Sequence, residues 1–493
     1  MGTFPKGGEF PLSIEILLAG IALWFAAGAV LSAWARRGTG AGVADYFLAG
    51  RTLGGLLSAL SYSATTYSAF MMVGLVGLAY RSGISALGFE LTYLGGTVLL
   101  LSIFAPRYWV AGRELGLLTP AEWLTRRYRS RWVGAASALL CLIMLIPYAS
   151  VQLMGAGYLL ETLSGGAISY GTGMGITAAV TLIFALWAGL RSVAFTDALQ
   201  AATMLIGSLL LVTFVGGYLL PGGWTAIPRL RPDLFRIQWS FPMFLGLTLP
   251  WTFFALTNPQ VVQRLYVPRD IRSIRRTILG FAAFGLLYTL LCVSLGFGAS
   301  VLLPGLENPD GAMPALLTRV PQIIALVVTL SILAAAVSTL NGILLTLGSL
   351  FARDLLGAFH PLSERRELTW GKTMLVLLTA ICLLFGTMKP GMIAFLSALS
   401  SAGLMAQVPA VVGSFFWKQG TAAGALTSIV AGATLMGVLL FAKINFLGQW
   451  PPLWGLLLAS AVYVGVSLAG HPDEEGTRLQ EQISRSVRSA FWP

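Results

Sequence analysis

Long apolar runs separated by short polar stretches fill the chain, and each run is close to the roughly 20 residues that a helix rising 1.5 Å per residue needs to cross about 30 Å of hydrocarbon. Thirteen spans are predicted, at 12–34, 54–80, 84–110, 131–163, 171–190, 194–220, 240–266, 274–305, 318–356, 370–388, 390–417, 420–446 and 451–470. Two of them are interrupted. SYSATTYSAF (61–70) places hydroxyls at Ser61, Tyr62, Ser63, Thr65, Thr66, Tyr67 and Ser68 between apolar flanks. Hydrocarbon offers no water to unpaired backbone groups, so this stretch is either a small-residue seam between helices or a helix unwound where it lines a cavity. LPWTFFALTNPQ (249–260) favours the second, because Pro250 and Pro259 each remove a helix hydrogen bond and Asn258 adds polarity at a similar depth.

The interruptions lie about five spans apart. That is the spacing of two inverted five-helix halves, each beginning with a discontinuous helix, with a site between them near the bilayer midplane. The predicted fold is an all-α polytopic membrane protein. Residues 1–53 form an accessory N-terminal helix and loop, 54–220 the first repeat, 221–239 an external loop, 240–417 the second repeat, 418–470 two accessory helices and 471–493 a short tail.

Composition agrees: 56% of the 493 residues are hydrophobic and 10% charged, a balance foreign to water-soluble domains of this length. Thirteen spans put the termini on opposite sides. With the N-terminus outside and the C-terminus cytoplasmic, most of the 31 Lys and Arg, Arg264 among them, fall in inner segments. Basic loops at an anionic leaflet account for the net charge of +12 without any nucleic acid. The first span is expected to be a retained helix, since its apolar stretch exceeds a signal core and the flank from Lys6 to Glu9 is hardly basic. Cys141, Cys292 and Cys382 fall within spans without paired spacing, and His360 and His471 lie in inner segments. GKT at 371–373 lacks the glycine five positions earlier, where Arg366 stands. With no zinc-type His pair and no nucleophile elbow either, neither an enzyme nor a catalytic residue is expected, and no obligate protein partner is evident.

Deep in span 318–356, LAAAVSTLNG carries the hydroxyl pair Ser338 and Thr339. Hydroxyls with carbonyls freed by an unwound turn form a hard-oxygen donor set without a carboxylate, which suits a monovalent cation such as Na⁺. The plainer alternative is back-bonding of each hydroxyl to a carbonyl one turn earlier.

DYFLAGRTLGG (45–55), TPAEWLTRRY (119–128), WAGLRSVAFTDALQ (187–200), NPQVVQRLY (258–266), ILAAAVSTLNG (332–342) and FFWKQGTAAGA (415–425) together resemble the sodium/solute symporter family, over about residues 12–445. The resemblance implies a leucine-transporter-like fold and a Na⁺ site of carbonyls from Ala64, Tyr67 and Ala335 with the hydroxyls of Ser338 and Thr339. It also implies a solute cavity lined by Thr66, Phe70, Met71, Glu90, Trp251, Thr252, Ala255 and Ser401. Thr66 and Ala255 stand where the proline symporters have an acid and an aromatic, which argues against proline itself. A small carboxylate-bearing solute, such as a monocarboxylate, pantothenate or an amino acid, is expected because exposed amides of an unwound helix can take an anion without a basic side chain.

Glu90 is the exception to that picture. A carboxylate inside a span costs at least a few kcal/mol unless paired, protonated or wet. The sugar-carrying members have an acid near this place, so Glu90 supports a sugar or polyol alternative or a proton-linked step; the plainer reading is a headgroup-level carboxylate near Arg81. Asp197 matches an acid that in some members binds a second Na⁺. That second site also uses a hydroxyl where this chain has Ala335, so one Na⁺ per cycle is expected, with Asp197 serving the inner ion pathway or a gate. The expected function is Na⁺-coupled symport by alternating access. A membrane sensor would need more than the 23 residues after Gly470 for signalling, and a passive channel would not need the hydroxyl pair and two broken helices together.

Overall fold

In the computed structural model, the described residues are 13–37, 40, 42–389, 391 and 393–491. The flank from Lys6 to Glu9 and the first residue of the predicted span 390–417 lie outside them. Among the described residues the chain is helical, with no strand and one isolated bridge, Leu53 to Pro268.

Eleven helices among the described residues are long and apolar enough to cross a membrane. They are α1 (Ile14–Arg36), α4 (Ile84–Leu115), α6 (Arg131–Leu163), α7 (Tyr170–Trp187), α8 (Gly189–Leu219), α11 (Ile271–Leu302), α12 (Gln322–Phe359), α13 (Glu364–Thr387), α14 (Ile393–Phe416), α15 (Ala422–Phe441) and α16 (Pro451–Leu468). A bent pair, α2 (Gly55–Thr66) and α3 (Phe70–Ser82), forms a further span with a 56° bend. The shorter apolar helix α9 (Phe241–Thr257) continues into α10 (Pro259–Arg264). Of the thirteen predicted spans, eleven are present as single helices among the described residues and a twelfth as the bent pair, while the predicted span 240–266 is the shorter α9 followed by α10. Between α7 and α8 the chain turns at Gly189, whose φ of 62° suits a residue without a Cβ.

Both breaks have local causes. Tyr67 ends α2 in an extended conformation, φ −87° and ψ 91°. The helix restarts after Ser68, whose hydroxyl accepts the Phe70 amide at 3.2 Å. At the second break, Pro259 brings no N–H, and the Asn258 side chain caps the new helix by accepting from the Gln260 amide at 3.0 Å. Pro250, expected to interrupt as well, sits inside α9 without ending it.

Leu23, Val30, Leu279 and Leu384 are exposed although apolar, a surface that only acyl chains cover without cost. The centre is occupied by α12, in which every residue from Ser331 to Leu350 is buried. Two short helices lie at the arginine-rich end of the bundle: α5 (Pro120–Tyr128) and the amphipathic α17 (Glu474–Phe491). Within the tail, residues 474–491 form a docked helix. It buries Gln480, Ile483, Val487 and Phe491. Gln480 accepts from the buried Arg127 at 3.1 Å, and Phe491 meets the Trp109 ring edge-on at 6.0 Å.

Candidate functional site

The first break and α12 meet in a cluster of oxygens. Ser338 Oγ donates to the Ala64 carbonyl at 2.8 Å and lies 3.1 Å from the Ala335 carbonyl. Thr339 Oγ1 is 3.2 Å from the Thr65 carbonyl and 3.4 Å from that of Ala64. Both hydroxyls therefore reach across to α2; Ser338 also keeps a contact one turn back on its own helix, to Ala335, whereas Thr339 bonds only across to α2. Four of the five residues expected to hold Na⁺ come together directly, and Tyr67 stands at the break itself. Thr65 joins them, a carbonyl that the sequence reading did not single out. No carboxylate takes part, and no group of three or more His, Cys, Asp or Glu able to hold a metal exists among the described residues. Neutral oxygens buried away from water and gathered at one point fit a monovalent cation.

Beside this cluster, Phe70 of α3 and Trp251 of α9 stack at 5.3 Å with 26° between their planes. The two broken helices thus meet through aromatic faces. Tyr93 and Tyr148 flank Trp251 at 5.7 and 5.9 Å. Met71 and Ala255 are buried on the same two helices. Thr66 Oγ1 donates to the Tyr62 carbonyl at 2.7 Å and Ser401 Oγ to that of Ser397 at 3.2 Å, which leaves each oxygen able to accept. Thr252 donates to the Thr248 carbonyl at 2.9 Å and packs against Gly96 of α4.

Glu90 is fully buried on α4, and neither carboxylate oxygen has a hydrogen-bond partner. Tyr67, Tyr93, Tyr148 and Cys292 lie within electrostatic reach of it. The plainer reading, a headgroup-level carboxylate beside Arg81, does not hold: Arg81 is exposed, whereas Glu90 is fully buried and its oxygens have no partner among the described residues.

The amides expected to take an anion are already bonded. Ala69 N–H donates to Gln152 Oε1 at 3.1 Å, Phe70 N–H to Ser68, and Gln260 N–H to Asn258. The broken helices present capped ends, because Ser, Asn and Gln side chains satisfy the orphan donors more cheaply than an empty cradle could.

Toward the arginine-rich end lies a buried ion pair. Asp197 Oδ2 accepts from Arg264 Nη2 at 3.1 Å and from Ser61 Oγ at 2.6 Å. Arg264 Nε also reaches Ser61 at 3.3 Å, and its Nη1 reaches the Gln260 carbonyl at 3.3 Å. Arg264 is 4% exposed and Asp197 0%. The arginine is therefore no loop residue, as its place in the charge count had suggested, but a strut joining α2, α8 and α10. One signal was available, since NPQVVQR puts Arg264 within two helical turns of the predicted break. Below it, Arg353 bridges Glu122 at 2.9 Å and Glu367 at 3.0 Å, while Thr119 donates to Asp354 at 2.6 Å.

Residues 46–432 match the family model described as the sodium:solute symporter family. The sodium/pantothenate symporter of Escherichia coli (strain K12) is 28% identical over 472 residues, 92% of this chain and 96% of the relative. The sodium/proline symporter of Haemophilus influenzae is 25% identical over 477 residues, 88% and 90% of the two chains. The sodium/glucose cotransporter of Vibrio parahaemolyticus is 24% identical over 505 residues, 93% and 89%. Among solved structures, a Na⁺-coupled sialic acid symporter in a substrate-bound, outward-open state superposes with TM-score 0.79 at 18% identity, covering 92% of this chain and 98% of that one. A transporter of the nucleobase-cation-symport-1 family gives TM-score 0.56 at 14% identity, covering 91% and 95%. These two show a shared leucine-transporter-like fold.

Proposed function

The chain belongs to the sodium:solute symporter family, and from that premise we propose that it carries a small organic solute into the cell with one Na⁺ per cycle, the two halves rocking about a midplane site. It is a multi-pass membrane transporter coupled to Na⁺, not an enzyme. The observation that carries the ion site is the convergence of Ser338 and Thr339 on the carbonyls of Ala64 and Thr65. Ala335 and Tyr67 complete the donor set. One Na⁺ falling through about 100 mV supplies roughly 2.3 kcal/mol, which at about 1.4 kcal/mol per decade concentrates solute several tens of fold.

The solute lies between Phe70 and Trp251, whose stack must open to admit it, with Thr66, Met71, Glu90, Ala255 and Ser401 around it; Thr252 contributes on its α4 side. A carboxylate-bearing solute is the preferred class, supported by the pantothenate and proline named for the relatives. A sugar or polyol is the second reading, favoured by the unpartnered Glu90 oxygens, which can accept from hydroxyls. The arginine-rich end faces the cytoplasm of the cell membrane, as basic segments do. There, Ser61, Asp197 and Arg264 form an inner gate, because parting α2 from α10 must break their bonds.

Uptake of radiolabelled monocarboxylates, pantothenate, amino acids and sugars into proteoliposomes, with and without an inward Na⁺ gradient, tests this. One class should accumulate only with the gradient. Equal uptake in its absence would refute the coupling, and binding without uptake would replace the transporter by a sensor.

A further inference from the structure

A cavity of about 790 Å³ opens at the arginine-rich end, lined by Leu115, Thr125, Ser130, Trp132 and Leu479 together with Arg126, Arg129, Arg131 and Glu475. Its size is within the range of sites that hold small ligands, about 300–1,000 Å³. Three arginines stand against one lining carboxylate and a second, Asp473, 3.9 Å from Arg129, which leaves it positive. Arg126 has no acidic partner among the described residues, and Arg131 rests over the Phe359 and Trp132 rings at 5.0 and 5.9 Å. Among the described residues only Arg129 of the three is paired, to Glu475 at 2.7 Å and to Asp473 at 3.9 Å. A second cavity of about 350 Å³ next door shares Arg126 and Arg131, yet there Glu122, Asp354 and Glu367 balance the charge. An anion therefore has one of the two to choose.

We propose that the larger cavity binds the phosphate headgroup of an anionic phospholipid. Guanidinium groups match phosphate oxygens in bidentate geometry. The rim supplies what a lipid needs beyond the phosphate: Trp132 is 57% exposed at the first turn of the spanning helix α6, the level at which tryptophans sit in membranes. Basic pockets between helix ends on the inner side are places where such headgroups collect. The site also reaches α17, since the phosphate and Glu475 compete for Arg129. Occupancy by lipid frees Glu475 and loosens the start of the docked helix.

The test uses the full-length purified protein in micelles doped with phosphatidylglycerol or phosphatidylcholine, or with inorganic phosphate alone, and counts retained lipid by native mass spectrometry. At about five-fold per arginine, R126Q/R131Q should retain phosphatidylglycerol about twenty-five-fold more weakly than wild type. R478Q/R485Q, on the exposed face of α17, should leave retention unchanged and controls for general charge; E475Q should strengthen it. Both Arg126 and Arg131 are exposed, so the variant is expected to fold, as its unfolding temperature will report. Equal retention by wild type and R126Q/R131Q, or equal loss in the control, would overturn the site. Stabilisation by inorganic phosphate without lipid retention would overturn the lipid as its source.

Discussion

Asp197→Asn would leave the Arg264 guanidinium charged in a site where it is 4% exposed. At 3.1 Å and an effective dielectric of about 20, the lost Coulomb attraction is about 5 kcal/mol. Part returns because Asn keeps an oxygen that Ser61 and Arg264 can still bond, so a loss of about 3 kcal/mol is expected, at the lower end for breaking a buried pair. Arg264→Gln strands Asp197 in the same way and should cost a similar amount. The double variant removes both charges, so its cost should be smaller than the sum of the two by about 3 kcal/mol. Unfolding free energies of the four proteins, from detergent titration at one pH and one Na⁺ concentration, measure that coupling. Additivity within about 0.5 kcal/mol would refute the pair as a structural unit, and with it the inner gate.

Glu90→Gln should leave unfolding temperature unchanged or raised, since it replaces a buried carboxyl group whose oxygens nothing pairs, while lowering uptake of any solute that donates hydrogen bonds to that group; a clear loss of stability would show that Glu90 has a partner. Gly342→Ala places a methyl against Thr65 Oγ1 and 2.9 Å from Arg264 Nη1. Overpacking of this kind costs about 1–3 kcal/mol, and unaltered stability would place Arg264 elsewhere. Asp310, on the turn between α11 and α12, accepts the Ile393 amide at 3.0 Å through Oδ2, and burial pushes it up to about 6. A carboxyl raised above its unfolded value near 3.9 contributes stability that is complete below about pH 4 and lost as pH rises through about 6. Unfolding temperature should therefore fall across that window, with Asp310→Asn flattening the fall; an identical profile would refute the assignment.

The spans were legible because hydrocarbon tolerates only helices, and the hydroxyl decade marked the first break because seven polar side chains cannot face lipid. Ser338 and Thr339 were legible as an adjacent pair in an otherwise apolar helix. Arg264 was hidden: its partner Asp197 lies 67 residues away in sequence, and a basic residue near a span end reads as a loop. The capped amides at Ala69 and Phe70 were hidden for a related reason, since Gln152 reaches Ala69 from α6. The docking of α17 had a visible trace in Ile483, Val487 and Phe491, spaced four apart, but nothing local says what such a face covers.

The most direct test of the ion site is equilibrium binding of ²²Na⁺ to purified wild type and to Ser338→Ala/Thr339→Ala, with both folded by unfolding temperature. The predicted result is one Na⁺ per wild-type chain and none retained by the variant. Undiminished binding in the variant would contradict the site, and two ions per wild-type chain would contradict the single-Na⁺ cycle.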